Sequence, residues 1–225
     1  MQRKHLKINF DEEKHEYTIV EYTEFKADLS VTQALKLLGV SPKYDDVDPE
    51  VLANAARRGT YCHKALEDLR TLEKFEEDFY EDEYANKILP TYNAMFDYDN
   101  RYNELKVFFN LGNYTVAGGV DEIGITKNGE IYVNDYKFTY SYHKRAVEYQ
   151  LNLYKYAIEY MQQYMPEYFS RLPSDFKITK LICNHKGKIY ELKAFTDKKM
   201  QETLTKLEKI LNDNRNIQEQ DNTNE

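Results

Sequence analysis

Two carboxylates and a lysine stand on strand faces that a sequence serving folding alone would keep apolar. They fall within Val116–Thr139, VAGGVDEIGITKNGEIYVNDYKFT. This stretch reads as two β-strands joined by a turn at Lys127-Asn128-Gly129-Glu130, because Asn-Gly is among the strongest short hairpin signals. Side chains two apart on a strand share a face, which puts Asp121 with Ile123 and Ile125, and Asp135 and Lys137 with Ile131 and Val133. An unpaired charge on a core face is costly, so the three need a shared reason to be there. A divalent metal is the obvious one. A single ion can take an oxygen from each aspartate if the paired strands diverge slightly where the carboxylates sit. Oxygen donors with few soft partners favour Mg²⁺ or Mn²⁺ over zinc, and a histidine can complete the set, more comfortably for Mn²⁺. His63 is the natural third ligand. Metal-bound water loses a proton more easily, and Lys137 beside it can orient or deprotonate that water and offset charge developing on a phosphate. That is equipment for phosphodiester hydrolysis.

The elements that must position these groups follow from the patterning around them. Residues 5–19 alternate as a small hairpin, expected to be a peripheral ribbon, and Ser30 caps a short helix through Leu38 with Gly39 as its stop. Asp48-Pro49 opens a helix running to about Glu73, on which Leu52, Ala56, Gly59, His63 and Leu66 form the expected buried stripe. Helical segments are expected to continue through an acidic, tyrosine-rich insertion at about 76–103. A strand from Glu104 to Asn110 leads into the central hairpin. After Tyr142 a long helix reaches about Met165, with Val147, Leu151, Tyr154, Ile158, Met161 and Met165 at spacings of four and three. Gln150 and Tyr154 are neighbours on its surface, where an amide and a phenol can hold a phosphate or the lysine in place. A second hairpin turns at Lys186-Gly187, Asp197 caps a last helix, and residues 212–225 are expected to be a disordered tail. The order of helices and strands describes a single α/β domain over residues 1–211, with a mixed sheet flanked by helices.

The 225 residues suit one sizeable domain; 41% hydrophobic residues and 21 tyrosines argue for a folded globule, and 31% charged residues for a soluble one. No run approaches the roughly 20 apolar residues of a spanning helix, nor does the N-terminus look like a signal peptide, so the expected compartment is the cytoplasm. Two cysteines, Cys62 and Cys183, are too few for a disulfide framework or for a cysteine-ligated iron–sulfur cluster, and read as buried thiols. The net charge of −8 runs against nucleic-acid binding, which usually shows a basic surplus. A site that is acidic until loaded with cations, with DNA contacts confined to basic patches, is compatible with it.

Five pieces in order resemble a known family: RGTYCHKALE with His63, the strand with Glu104, GGVDEIG with Asp121, NDYKFT with Asp135 and Lys137, and QLNLY with Gln150 and Tyr154. Together they resemble the PD-(D/E)xK nuclease superfamily and its RecB-like exonuclease branch, including phage-encoded members, across nearly all of residues 6–195. The resemblance implies a restriction-endonuclease-like fold and a Mg²⁺- or Mn²⁺-dependent DNA nuclease, with one or two ions and no iron–sulfur cluster. It assigns His63, Asp121 and Asp135 to the metal with the carbonyl of Tyr136, and Glu104 more loosely. Lys137 becomes the catalytic lysine, while Gln150 and Tyr154 match a QxxxY motif that contacts DNA and braces the site. It further implies a phage-type exonuclease of recombination, replication or repair in the host cytoplasm, working on DNA beside an annealing protein or helicase, and leaves a homo-oligomer open. Many members have glutamate where this chain has Asp135.

Each residue also has a plainer reading. His63 alone on an apolar stripe is more often a hydrogen-bonded core histidine than a ligand. Asp135 and Lys137 could be a strand-end ion pair, Asp121 the end of a glycine-rich bend, and Gln150 the margin of a helix whose Tyr154 is ordinary core. Arg57, Arg58 and Lys64, with Lys144 and Arg145, form either a basic rim for DNA or merely a solvated face. The alternatives to an exonuclease are a structure-specific endonuclease and a non-catalytic nucleic-acid- or protein-binding module that retains the fold.

Overall fold

A computed structural model describes residues 7–11, 13–14, 16–20, 24–72, 98–169, 172 and 175–223. Its centre is a mixed sheet flanked by helices, as the alternation of strand and helix patterns predicts. The strand β6 (Tyr114–Thr126) organises it. One edge of β6 carries the antiparallel β5 (Tyr98–Leu111) along its length. The other edge is shared. The short β4 (Leu29–Ser30) lies parallel to Val116–Ala117, and β7 (Ile131–Lys137) runs antiparallel from Glu122 to Ile125. Between these two partners Gly118–Asp121 have no strand paired on that side among the described residues. Next come β8 (Ile178–His185), parallel to β7, and β9 (Lys188–Leu192) at the far edge.

Local chemistry explains the helix starts. Ser30 Oγ accepts the Gln33 N–H at 3.2 Å and Gln33 Oε1 accepts the Ser30 N–H at 2.6 Å, a capping box that begins α1 (Val31–Leu37). Gly39 ends it at φ 70°, as a C-terminal glycine should. Asp48 Oδ1 takes the Glu50 N–H at 2.7 Å and starts α2 (Pro49–Leu72). The third helix, α3 (Lys144–Tyr164), buries Val147, Leu151, Tyr154, Ile158 and Met161, the stripe that its period predicts. The last, α4 (Asp197–Thr223), is docked by Met200, Leu204 and Leu207, and Lys206 Nζ donates to the Leu38 carbonyl at 3.1 Å.

Several expectations are corrected. The N-terminal ribbon, β1 (Lys7–Asp11), β2 (Glu16–Val20) and β3 (Glu24–Lys26), is a three-stranded sheet and not peripheral, since Ile19 is fully buried and Tyr17 joins the main core. The expected helical insertion at 76–103 lies outside the described residues up to 97, and Tyr98–Asn103 are strand, because the long β6 offers an edge for them to pair with. On α2 the buried stripe is confined to its later turns: Cys62, Ala65 and Leu66 are buried, whereas Ala56 is exposed. The cap of α4 is Thr196, whose Oγ1 accepts the Lys199 N–H at 3.2 Å, with Asp197 in the first turn. That helix runs past Asn212 to Thr223, where a disordered tail is expected; residues 213–223 contain no glycine or proline to break it, and their one apolar residue, Ile217, is exposed. No helix among the described residues is long and apolar enough to cross a membrane.

Candidate metal centre

The open stretch of β6 is where the chemistry collects. The β5–β6 register pairs Asn103 with Glu122 and Leu105 with Val120, which sets Glu104 opposite Asp121. The β6–β7 ladder ends at Glu122 and Asn134, so Asp121 and Asp135 lie just past its last pair, where the strands are free to part. Three carboxylates thus stand at one level on three adjacent strands. His63 arrives from α2, its Nδ1 3.6 Å from Asp121 Oδ2. One donor atom each from His63, Glu104 and Asp121 lie within 4.8 Å of one another. Glu104 holds its place in a left-handed conformation, φ 50°, in the middle of a strand. That is uncommon for a residue with a Cβ and is a reason to look for function there.

A hydrogen-bonded chain fixes the remaining groups. Lys137 Nζ donates to Asp135 Oδ1 at 2.8 Å and to Gln150 Oε1 at 3.0 Å, and Gln150 Nε2 donates to the Tyr154 hydroxyl at 3.1 Å. The Tyr136 N–H donates to Asp121 Oδ2 at 2.7 Å. Phe138 meets the His63 ring edge-on at a centroid distance of 5.1 Å. Tyr154 packs so closely on β6 that a Cβ added to Gly118 would lie 2.7 Å from its ring. The first glycine of the GGVD run is therefore needed for the approach of the helix.

The electrostatics are those of a site short of positive charge. Burial, then the nearby charge of Asp135, raises the Asp121 carboxyl to about 7. Glu104 is raised by burial and by Asp121. For His63, burial and then Lys137 lower the pKa, leaving the neutral imidazole that ligation needs. Burial opposes the charge on Lys137, but Asp135 and Asp121 outweigh it and hold its pKa above the ordinary lysine value. A divalent cation among two carboxylates and an imidazole fits this donor set and would relieve the crowding of negative charge.

The structure therefore brings together His63, Glu104, Asp121, Asp135, Lys137, Gln150 and Tyr154, with the Tyr136 backbone beside them. Glu104, the residue matched only loosely by sequence, is one of the three convergent donors. Asp135 is almost fully buried beside them, its oxygens engaged by Lys137 and by the Cys183 thiol at 3.8 Å. Arg57, Arg58, Lys64, Lys144 and Arg145 are all exposed, and Arg57 bonds locally to Asn54 on its own helix. Sequence reasoning passed over Lys106, whose Nζ lies 3.0 Å from Glu104 Oε2, although its i, i+2 spacing from Glu104 puts both on one strand face. It also passed over Glu122. That fully buried carboxylate, on the opposite face of the hairpin, accepts from Asn134 Nδ2 at 2.7 Å, the Tyr136 hydroxyl at 2.6 Å and Arg101 Nη1 at 3.1 Å. It anchors the side chain whose backbone N–H holds Asp121.

No protein-family model matches the chain. No curated protein matches it either. Among solved structures, one described as "Crystal structure of SSO0001" aligns over 84% of this chain and 78% of its own, at 13% identity and a TM-score of 0.41.

Proposed function

We propose that this chain is a Mg²⁺- or Mn²⁺-dependent deoxyribonuclease, an exonuclease of the RecB-like PD-(D/E)xK type. The observation that carries the reading is the convergence of His63, Glu104 and Asp121 within 4.8 Å, beside a lysine held by Asp135 and Gln150. His63, Glu104 and Asp121 would hold the ion, with Asp135 and the Tyr136 carbonyl completing its surroundings. A cation held by these residues would lower the pKa of a bound water and offset charge on the phosphate. Lys137 has its Nζ fixed on two sides, so it presents its ammonium group to a phosphate oxygen in one orientation. Gln150 and Tyr154 brace that lysine from the helix, and Tyr136 keeps the Asp121 carboxylate turned toward His63.

Titration with Mn²⁺ and cleavage assays on linear and covalently closed circular DNA test the reading together. Wild type is expected to bind Mn²⁺ and to cut linear DNA only. Asp121→Ala should lose both properties; Lys137→Ala should keep the ion while losing cleavage by about 100-fold or more. Cutting of closed circles would make the protein an endonuclease. DNA binding without cleavage or Mn²⁺ uptake would make it a non-catalytic module.

A further inference from the structure

We propose that the loop following Lys137 carries a stacking platform for one unpaired base, formed by Tyr140 with Lys186 held over its ring. This rests on the nuclease reading above and names the form of substrate: a strand with an unstacked base, as in single-stranded DNA or at a frayed end.

Tyr140 is 90% exposed, the most exposed large hydrophobic side chain among the described residues. The chain on either side of it is pinned. His185 Nε2 lies 2.8 Å from the Thr139 carbonyl, and Thr139 Oγ1 donates to the Ser141 carbonyl at 2.9 Å. Tyr142 stacks on Tyr190 at 4.1 Å and 19°, and on His185 at 5.8 Å and 28°. Phe138 is buried and Tyr142 and His143 are half-buried, whereas Tyr140 is turned to solvent. One exposed tyrosine is ordinary by itself; here the ring is held on a pinned loop, and what stands over it gives it meaning.

Lys186 supplies the second observation. Its Nζ lies 4.5 Å from the centroid of the Tyr140 ring. It does so from the first central position of the β8–β9 turn, at φ 51°, followed by Gly187 at φ 76°. Turns of this hand favour Asn, Asp or Gly at that position, and besides Glu104 no other described residue with a Cβ adopts a positive φ. A lysine kept in a backbone conformation that suits asparagine points to use of its side chain.

Position supplies the third. Lys137 pairs with His185 across the parallel strands β7 and β8. Tyr140 and Lys186 therefore lie just beyond the carboxyl ends of both strands, the edge at which open α/β sheets bind ligands and at which Lys137 stands. Lys144 and Arg145 follow at once, both exposed. In a chain of net charge −8 this local surplus complements phosphates, while the ring offers a face to a base. A closed duplex keeps its bases stacked and offers none to Tyr140.

The test uses the full chain with Ca²⁺ and a short oligothymidine carrying one 2-aminopurine, whose fluorescence is quenched by stacking. Wild type and Tyr140→Phe are expected to bind and quench. Tyr140→Ala should lose the quenching and weaken single-strand binding by about 5- to 100-fold, with blunt duplex binding little changed. Lys186→Ala should weaken single-strand binding and flatten its salt dependence. If wild type cuts DNA with Mn²⁺ while Tyr140→Ala binds, quenches and cuts single strands equally well, the platform is wrong and the nuclease reading stands. Equal losses on single strand and duplex also overturn it, leaving only a general basic surface. If wild type neither binds nor cuts any DNA, both readings fall together.

Discussion

Asp121 is the residue on which the site turns, and its protonation should be visible before any substrate is added. Its carboxyl is raised to about 7 by burial and by Asp135, against an ordinary value of 3.8. The folded state therefore holds a proton that the unfolded chain has already lost within that window. In the absence of divalent ions, stability is greatest below about pH 4 as far as this group is concerned, and is lost as pH rises toward 7. Asp121→Asn should flatten that slope in EDTA when unfolding free energies are compared between pH 4 and 8. A slope equal to that of wild type would mean that Asp121 is not the half-buried, crowded carboxylate described above. The same crowding explains why the sequence exposes Asp121 and Asp135 so clearly: charges on an apolar strand face contradict burial, and contradictions of that kind are readable without coordinates. Glu104 was less legible, because its importance comes from a cross-strand register and a left-handed φ that no local pattern announces.

At the scale of elements, most of the framework follows from local rules. The Asn128-Gly129 turn, the Ser30 capping box and the stripe on α3 all form where the residue types demand. What the pattern cannot supply is tertiary partnership: β5 lengthens because β6 is there to pair with it, and the early turns of α2 stay exposed although their spacing suits a core. The meeting of α3 with β6 is decided by Gly118. A methyl group there would lie 2.7 Å from Tyr154 Cε1 and 3.0 Å from Val31 Cγ2, so the helix must shift to admit it. Gly118→Ala is expected to destabilise the fold by about 1–3 kcal/mol in denaturant unfolding. Through Tyr154, Gln150 and Lys137 it should also lower cleavage while leaving the donors of His63, Glu104 and Asp121 in place. Unchanged stability would show that α3 does not rest on that glycine.

The whole molecule assembles its site from distant parts of the chain. His63 and Tyr154 are separated by three strands of the sheet, and the parallel pairings of β4 with β6 and of β7 with β8 join segments far apart in sequence. The donors His63, Glu104 and Asp121 lie on three different elements, α2, β5 and β6, so a cation bound there would find its full complement only in the folded state. Binding that discriminates in this way stabilises the fold by mass action. Where clipping requires global opening, the survival of the protein against a protease should lengthen with Mn²⁺ concentration, and Asp121→Ala should remove that dependence. Equal digestion rates with Mn²⁺ and with EDTA would contradict a site completed only on folding. The open stretch of β6 between β4 and β7 thus has a consequence for turnover: the abundance of the protein would track the supply of divalent ions, whether or not any DNA is present to be cut.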